Sequence, residues 1–239
     1  MFVSSFYVGE MSSYVASFAT NPKFVEGFAK SASMIVLSEI GDKTFFIAVI
    51  MAMKHSRTIV FLGSWLALFA MTALSAMVGA AAPKLISPKA TRACATALFF
   101  VFGARSIAEA IAGGGDGDGD DEMGEAEAEL AGRARGKNGM KKKKGKTKPS
   151  DYSVFSEAFV VTFLAEWGDR SQIATIGLAA ASDVLGVTLG GALGHAACTG
   201  IAVVGGRHMA SRVNERAVSL CGGVLFVLFG LHSLISGTA

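Results

Sequence analysis

The sequence predicts an all-α integral membrane protein of six transmembrane helices, arranged as two inverted three-helix repeats. Hydrophobic residues make up 51% of the chain and fall in blocks. Thr58 to Ala82, Val184 to Gly206 and Ala217 to Ala239 are each long enough to cross a hydrocarbon core of about 30 Å, which takes about 20 helical residues. Ser31 to Met53, Ala93 to Ile111 and Tyr152 to Ala181 carry charges but complete six spans. Helices satisfy their own backbone hydrogen bonds in lipid, and the alternating pattern of a barrel strand is absent.

The second observation is self-similarity at a constant offset of 127 residues, without a gap. Phe28 falls on Phe155, Leu37 on Leu164, Glu39 on Glu166, Gly41 on Gly168 and Asp42 on Asp169. Gly63 falls on Gly190, Thr72 on Thr199, Cys94 on Cys221 and Gly103 on Gly230. Three spans per copy is an odd number, so the second copy enters the membrane from the opposite side. Inverted repeats of this kind let transporters alternate access around a midplane site.

Taken in order, residues 1–30 form an N-terminal tail without the basic start and compact apolar core of a signal peptide. Residues 31–112 are the first three-helix repeat, in which Pro83 and Pro88 suit a short connection outside the membrane. Residues 113–150 are a charged linker, with acidic residues from Asp116 to Glu129 and basic ones from Arg133 to Lys148. Its low hydrophobicity and blocks of like charge predict disorder, with at most a transient helix near Gly124 to Ala131. The Lys141–Lys148 block could hold the linker at an anionic lipid surface. Residues 151–239 are the second repeat. Lys and Arg in the short loops favour a cytosolic linker, with both termini on the other side. Cys94, Cys198 and Cys221 read as small buried hydrophobes, and the basic residues, confined to the linker and helix ends, give no sign of nucleic-acid binding.

The third observation is chemical. Ser38-Glu39-Ile40-Gly41-Asp42-Lys43-Thr44 and Ala165-Glu166-Trp167-Gly168-Asp169-Arg170-Ser171 place ionisable side chains inside apolar spans. A charge at the bilayer centre costs roughly 2.5 to 3.5 kcal/mol on insertion scales, so an intramembrane carboxylate is by default a functional residue. A spacing of three puts Glu39 with Asp42, and Glu166 with Asp169, on one face of a continuous helix. Gly41 and Gly168 permit close approach or a loosened backbone that offers carbonyl oxygens. Thr44, Ser171 and Gln172 add further oxygens, a hard donor set suited to divalent Ca²⁺, Mn²⁺ or Mg²⁺. The competing structural role is an intrahelical ion pair, Glu39 with Lys43 and Glu166 with Arg170. Even so compensated, the four acids Glu39, Asp42, Glu166 and Asp169 keep a surplus of about two negative charges, a match for one divalent cation. His195, in the middle of the fifth span, is a candidate proton carrier or a packing residue.

Ser38 to Arg57 and Thr162 to Ala179, with Gly194-His195 and Gly205-Gly206-Arg207, resemble the Gdt family of Golgi-type calcium and manganese antiporters, whose members carry two E-x-G-D-[KR]-[ST] motifs. The resemblance implies a secondary transporter, not an enzyme, that exchanges Ca²⁺ or Mn²⁺ for protons and holds no permanent cofactor. It implies a Golgi membrane, to which the Ile50–Lys54 segment is similar, with a chloroplast or other organelle membrane as the alternative. A cation channel lined by the same acids, or a scaffold whose acids only lock helices together, are the competing functions.

Overall fold

The computed structural model describes residues 20–112, 123–133, 149–210 and 215–237; among them it contains nine helices and no strand. Start signals set the boundaries. Pro22 opens α1 (Pro22–Glu39) behind Asn21, whose side chain accepts from the Lys23 N–H at 3.1 Å. Ser150 caps α6 (Asp151–Ala165) in the same way through the Ser153 N–H. The hydroxyl of Ser87 precedes Pro88 at the start of α4 (Pro88–Ala112), and Asp183 accepts from the Gly186 N–H at 2.7 Å at the start of α8 (Val184–Ala210, kinked at Gly206). Such side chains satisfy donors that the first helical turn leaves without partners. The remaining helices are α2 (Lys43–Lys54), α3 (Arg57–Leu85), α5 (123–133), α7 (Arg170–Ala181) and α9 (Glu215–Gly237).

Four helices, α3, α4, α8 and α9, are each long and apolar enough to cross a membrane. The other two expected spans are broken in the middle, into α1 with α2 and α6 with α7. Large side chains such as Met77, Val78, Val204 and Leu228 stand on the outer face, as a hydrocarbon solvent permits.

Several boundaries differ from expectation. α1 begins at Pro22, inside the expected tail, because the Asn-Pro pair is a strong start signal; residues 1–19 lie outside the described residues. Pro83 lies within the last turns of α3 rather than in a connection, and Pro88 occupies the first turn of α4, where its missing N–H costs little. Residues 123–133 of the linker form a helix with Ala126 fully buried, where only a transient helix was expected. The Lys141–Lys148 block lies outside the described residues. Cys198 is buried, but Cys94 and Cys221 are exposed on the outer faces of α4 and α9, where a thiol is as acceptable beside lipid as inside protein.

The repeat is visible in the packing. Lys43, Arg57 and Pro88 open helices, and Arg170, Val184 and Glu215, each 127 positions later, open their counterparts. α1 packs on α8 and α6 on α3, while α3 and α8 meet at the centre, where the Trp65 indole donates to the Ala192 carbonyl at 2.9 Å. Lipid is as apolar as these side chains, so helix association here depends on close backbone approach more than on hydrophobicity. Small residues supply that approach reciprocally. A Cβ on Gly63 would stand 2.7 Å from the Phe155 carbonyl oxygen, and one on Gly190 would meet the Phe28 carbonyl more closely still. Between α4 and α9, Gly103 faces Val227 and Gly230 faces the ring of Phe100.

Gly63→Val and Gly190→Val should therefore each push two helix backbones apart and cost roughly 1–3 kcal/mol, the usual scale of overpacking. Gly200→Ala is the control, since its nearest neighbour would be the Phe61 ring at 3.9 Å. Thermal unfolding in detergent should show lowered transitions for the two valine variants and an unchanged one for the control.

Candidate functional site

The spacing of the motif is that of a turn followed by a helix cap. Ile40 (φ −70°, ψ 115°) and Gly41 (φ +86°) are the central residues of a type II β-turn, closed by the Asp42 N–H donating to the Glu39 carbonyl at 3.3 Å. A type II turn needs a positive φ at its third position, which a glycine adopts without steric cost. The second motif repeats this: Gly168 has φ +84°, and the Asp169 N–H donates to the Glu166 carbonyl at 3.2 Å. The glutamate thus stands at the end of one helix and the aspartate at the start of the next. The expectation of both carboxylates on one continuous helical face is corrected accordingly.

The breaks bring the two motifs together. Single carboxylate oxygens of Glu39, Asp42 and Glu166 lie within 4.8 Å of one another, and Glu39 and Glu166 are each only 3% exposed. The Thr44 hydroxyl donates to Glu166 Oε1 at 2.5 Å, linking the first motif to the second, while Glu39 Oε2 is buried without a hydrogen-bond partner. A buried acceptor with no donor is costly, and a cation or a proton would satisfy it. Asp169 stands outside this group. Its two carboxylate oxygens accept from the Ser171 and Gln172 N–H groups at 2.9 and 2.8 Å, capping α7. The Gln172 side-chain oxygen accepts from the Gly168 N–H at 2.7 Å, which stiffens the second turn. Ser171 is buried, at the position that Thr44 holds in the first motif.

The motif cations find partners elsewhere. Lys43 reaches Glu129 of α5 at 2.8 Å, and Arg170 reaches Glu109 of α4 at 3.1 Å. The expected pairs with Glu39 and Glu166 are replaced because the turn moves residue i+4 off the helical face. Sequence reasoning passed over Glu109 and Glu129; their signal was an acid in each segment that ends or follows a basic-capped span.

Two small cavities flank the acids and are counterparts under the repeat. One is lined by Glu166, Ser171, Leu68, Met71, Thr72 and His195 among others; the other by Glu39, Thr44, His195, Cys198, Thr199 and Leu68 among others. His195 and Leu68 occupy equivalent positions and both line both cavities. His195 is buried, with Nδ1 unpartnered. Ser64, Thr72, Ser75 and Thr199 were also missed, although polar residues at steps of about four within apolar spans 58–82 and 184–206 mark such a stripe. A third, polar cleft between the first turn and the α4–α9 pair, lined by Ser38, Asp42, Ser106, Arg170 and Ser219 among others, leads to Asp42. Trp167, in the second turn, is exposed and packs against Phe163 at a ring distance of 5.2 Å.

Broken helices that gather buried carboxylates from two sequence repeats define a membrane protein built to handle cations. Comparison with known proteins is specific. The family model of the divalent cation/proton antiporter GDT1 matches residues 27–114 and 154–239. The chain is 51% identical over 225 residues to GDT1-like protein 5 of Oryza sativa subsp. japonica, covering 90% of this chain and 97% of that one. It is 46% identical over 220 residues to GDT1-like protein 5 of Arabidopsis thaliana (89% and 96% covered), and 44% identical over 219 residues to GDT1-like protein 3 of Oryza sativa subsp. indica (92% and 77%). No solved structure matches. The chain belongs to the GDT1 family of divalent cation/proton antiporters.

The turns and the cap can be tested without transport. Gly41→Ala and Gly168→Ala each force a Cβ into the left-handed region and should cost roughly 1–2 kcal/mol. Asp169→Ala should cost about 1 kcal/mol through loss of the α7 cap, with Asp169→Asn close to wild type. Melting temperatures of the purified variants check both orders.

Proposed function

We propose that the protein exchanges Ca²⁺ or Mn²⁺ for protons across an intracellular membrane, and that Glu39, Asp42 and Glu166 hold the cation. The observation that carries this is the convergence of three carboxylates from both repeats, one with an unpartnered oxygen, in an otherwise apolar interior. Their donor atoms are hard oxygens, supplemented by the Thr44 hydroxyl and by backbone carbonyls at the two turns, which suit Ca²⁺ and Mn²⁺. Asp169 supports the site by fixing the start of α7, and Gly41, Gly168, Ser171 and Gln172 fix the turns. Lys43 and Arg170 are neutralised outside the site, so the acid cluster keeps its charge for the cargo.

Three carboxylates this close, shielded from water, do not all remain ionised without a cation. A divalent ion favours the ionised set and protons displace it, so the two compete for the same oxygens and titrate as one group. Competition becomes exchange when the repeats, inverted in the membrane, rock between two faces only with ion or protons bound. That His195 lines both cavities supports reading it as a proton carrier for the acids, with helix packing as the alternative role. The resemblance of Ile50–Lys54 to the Golgi branch of the family supports a Golgi membrane, with a chloroplast or other organelle membrane as the alternative, and the basic loops support a cytosolic linker.

In proteoliposomes an imposed pH gradient should drive Ca²⁺ or Mn²⁺ uptake, whereas a channel would carry flux indifferent to that gradient. Glu39→Gln, Asp42→Asn and Glu166→Gln should each abolish uptake in protein that still inserts, and wild-type flux in any two would sink the shared site. Cation affinity should weaken steadily as pH falls from about 7.5 to 5.5, with protons released on binding. Calorimetry in buffers of different ionisation enthalpy reads that release directly.

A further inference from the structure

The two apolar cores of the protein are counterparts under the repeat in all but one component. One core joins Phe45 to Ala52 of α2, Val60 of α3, Val154, Ala158 and Val161 of α6, and Ala202 and Val203 of α8. The other joins Ala174, Leu178 and Ala179 of α7, Val187 of α8, Met34 and Ile35 of α1, and Ala76 of α3. Val60 with Val187, Ala52 with Ala179, Met34 with Val161 and Ala76 with Val203 are equivalent positions. The second core is closed by Phe99 of α4 and by Phe226 and Phe229 of α9. The first has no residue from either helix; its remaining member is Ala126 of α5, with Met123 and Leu130 packed beside it.

The motif cations follow the same division. Arg170, on the half where α4 is seated, pairs with Glu109 of α4; Lys43, on the half where α5 is seated, pairs with Glu129 of α5. Arg133 of α5 lies 3.7 Å from the same Glu129 carboxylate. The α4–α9 pair packs on α7 and α1, and α5 joins the core that α2 and α6 share and pairs with Lys43 of α2.

We infer that α5 is a latch: it occupies the seat on α2 and α6 that the repeat provides for the α4–α9 pair, and so holds the protein in one of its two alternating conformations. The inference rests on the transport reading above. Transporters of inverted repeats reach their opposite-facing state when the two repeats exchange conformations. That exchange would carry the α4–α9 pair from α1 and α7 towards α6 and α2, where α5 now lies. Two bodies cannot share the seat, so α5 leaves it during each cycle.

The latch is built to be reversible. Met123, Ala126 and Leu130 form a single stripe at i, i+3 and i+7, and Glu125 and Glu127 stand exposed. A helix of this length is marginal in water on its own, so undocking also unfolds it, and redocking supplies the contacts that refold it. One partly exposed ion pair and three apolar contacts are a modest hold, enough to bias an equilibrium without freezing it.

The test uses the full-length protein in proteoliposomes, with Mn²⁺ uptake driven by a pH gradient. Leu130→Ala, which removes an apolar contact of the latch and keeps the Lys43–Glu129 pair, should raise the maximal rate roughly two- to fivefold. Ala126→Asp, which places a carboxylate in the buried contact, should raise it by about tenfold or more. A second readout needs no transport: Val154→Cys, 5% exposed in the core that α5 joins, is introduced with Cys94→Ser and Cys221→Ser and treated with a water-soluble thiol reagent. It should react slowly alone and much faster when Ala126→Asp is added. Rates at or below wild type in Leu130→Ala, or labelling of Val154→Cys that Ala126→Asp leaves unchanged, would overturn the latch. Absence of flux in the wild type would instead sink the transport reading, with the labelling still deciding whether α5 comes off its seat.

Discussion

The structure depends on two backbone breaks in an environment that punishes them. In hydrocarbon every backbone group needs a protein partner, so a span interrupted in the middle survives only where it is buried in protein or lines a polar cavity. Here each interruption is a four-residue turn that satisfies itself through one hydrogen bond, from Asp42 to Glu39 and from Asp169 to Glu166. The following helix is then begun by an aspartate. The start of α7 is closed by the Asp169 carboxylate, which takes two of its first N–H groups.

Near-symmetry explains why the acids meet and why they are not equivalent. α3 and α8 cross at the centre and carry α6 and α1 on their outer sides, so the two turns face each other. Asp42 joins the carboxylate group, whereas Asp169 is committed to two N–H groups of α7. The paired cavities differ in the same manner. His195 stands where the other repeat has Leu68, and Cys198 where it has Met71. A perfectly duplicated site would carry the same pair of residues twice; these substitutions put a single imidazole, opposite a leucine, between the two cavities.

The positions of Lys43 and Arg170 show how a buried charge cluster is tuned without being cancelled. Each cation follows a motif aspartate in sequence, Asp42 or Asp169, but its partner is an acid from an outer helix, Glu129 or Glu109. Neutralisation at that distance lowers the cost of carrying the motif into the membrane and leaves the inner oxygens available. It also ties each motif to an outer helix, because Glu109 belongs to α4 and Glu129 to α5.

Much of this was legible from the chain alone. Hydrophobic block length identified the long spans, and the constant offset identified a duplication whose helix starts the structure reproduces at 43 and 170, 57 and 184, 88 and 215. Both signals are local, or become local once the sequence is laid on itself, and the cost of charge in lipid made Glu39 and Glu166 conspicuous without coordinates. What the chain alone left open was how four residues of E-x-G-D are shaped. The spacing of three fits a helical face and a type II turn equally well, and only packing that lets a span be broken at Gly41 and Gly168 selects the turn. The partners of Lys43 and Arg170, the exclusion of Asp169 from the carboxylate group and the seat of α5 were decided in the tertiary structure. Each depends on residues tens of positions apart meeting across helices, and a linear pattern of charge and hydropathy holds no record of which of the available acids comes within reach.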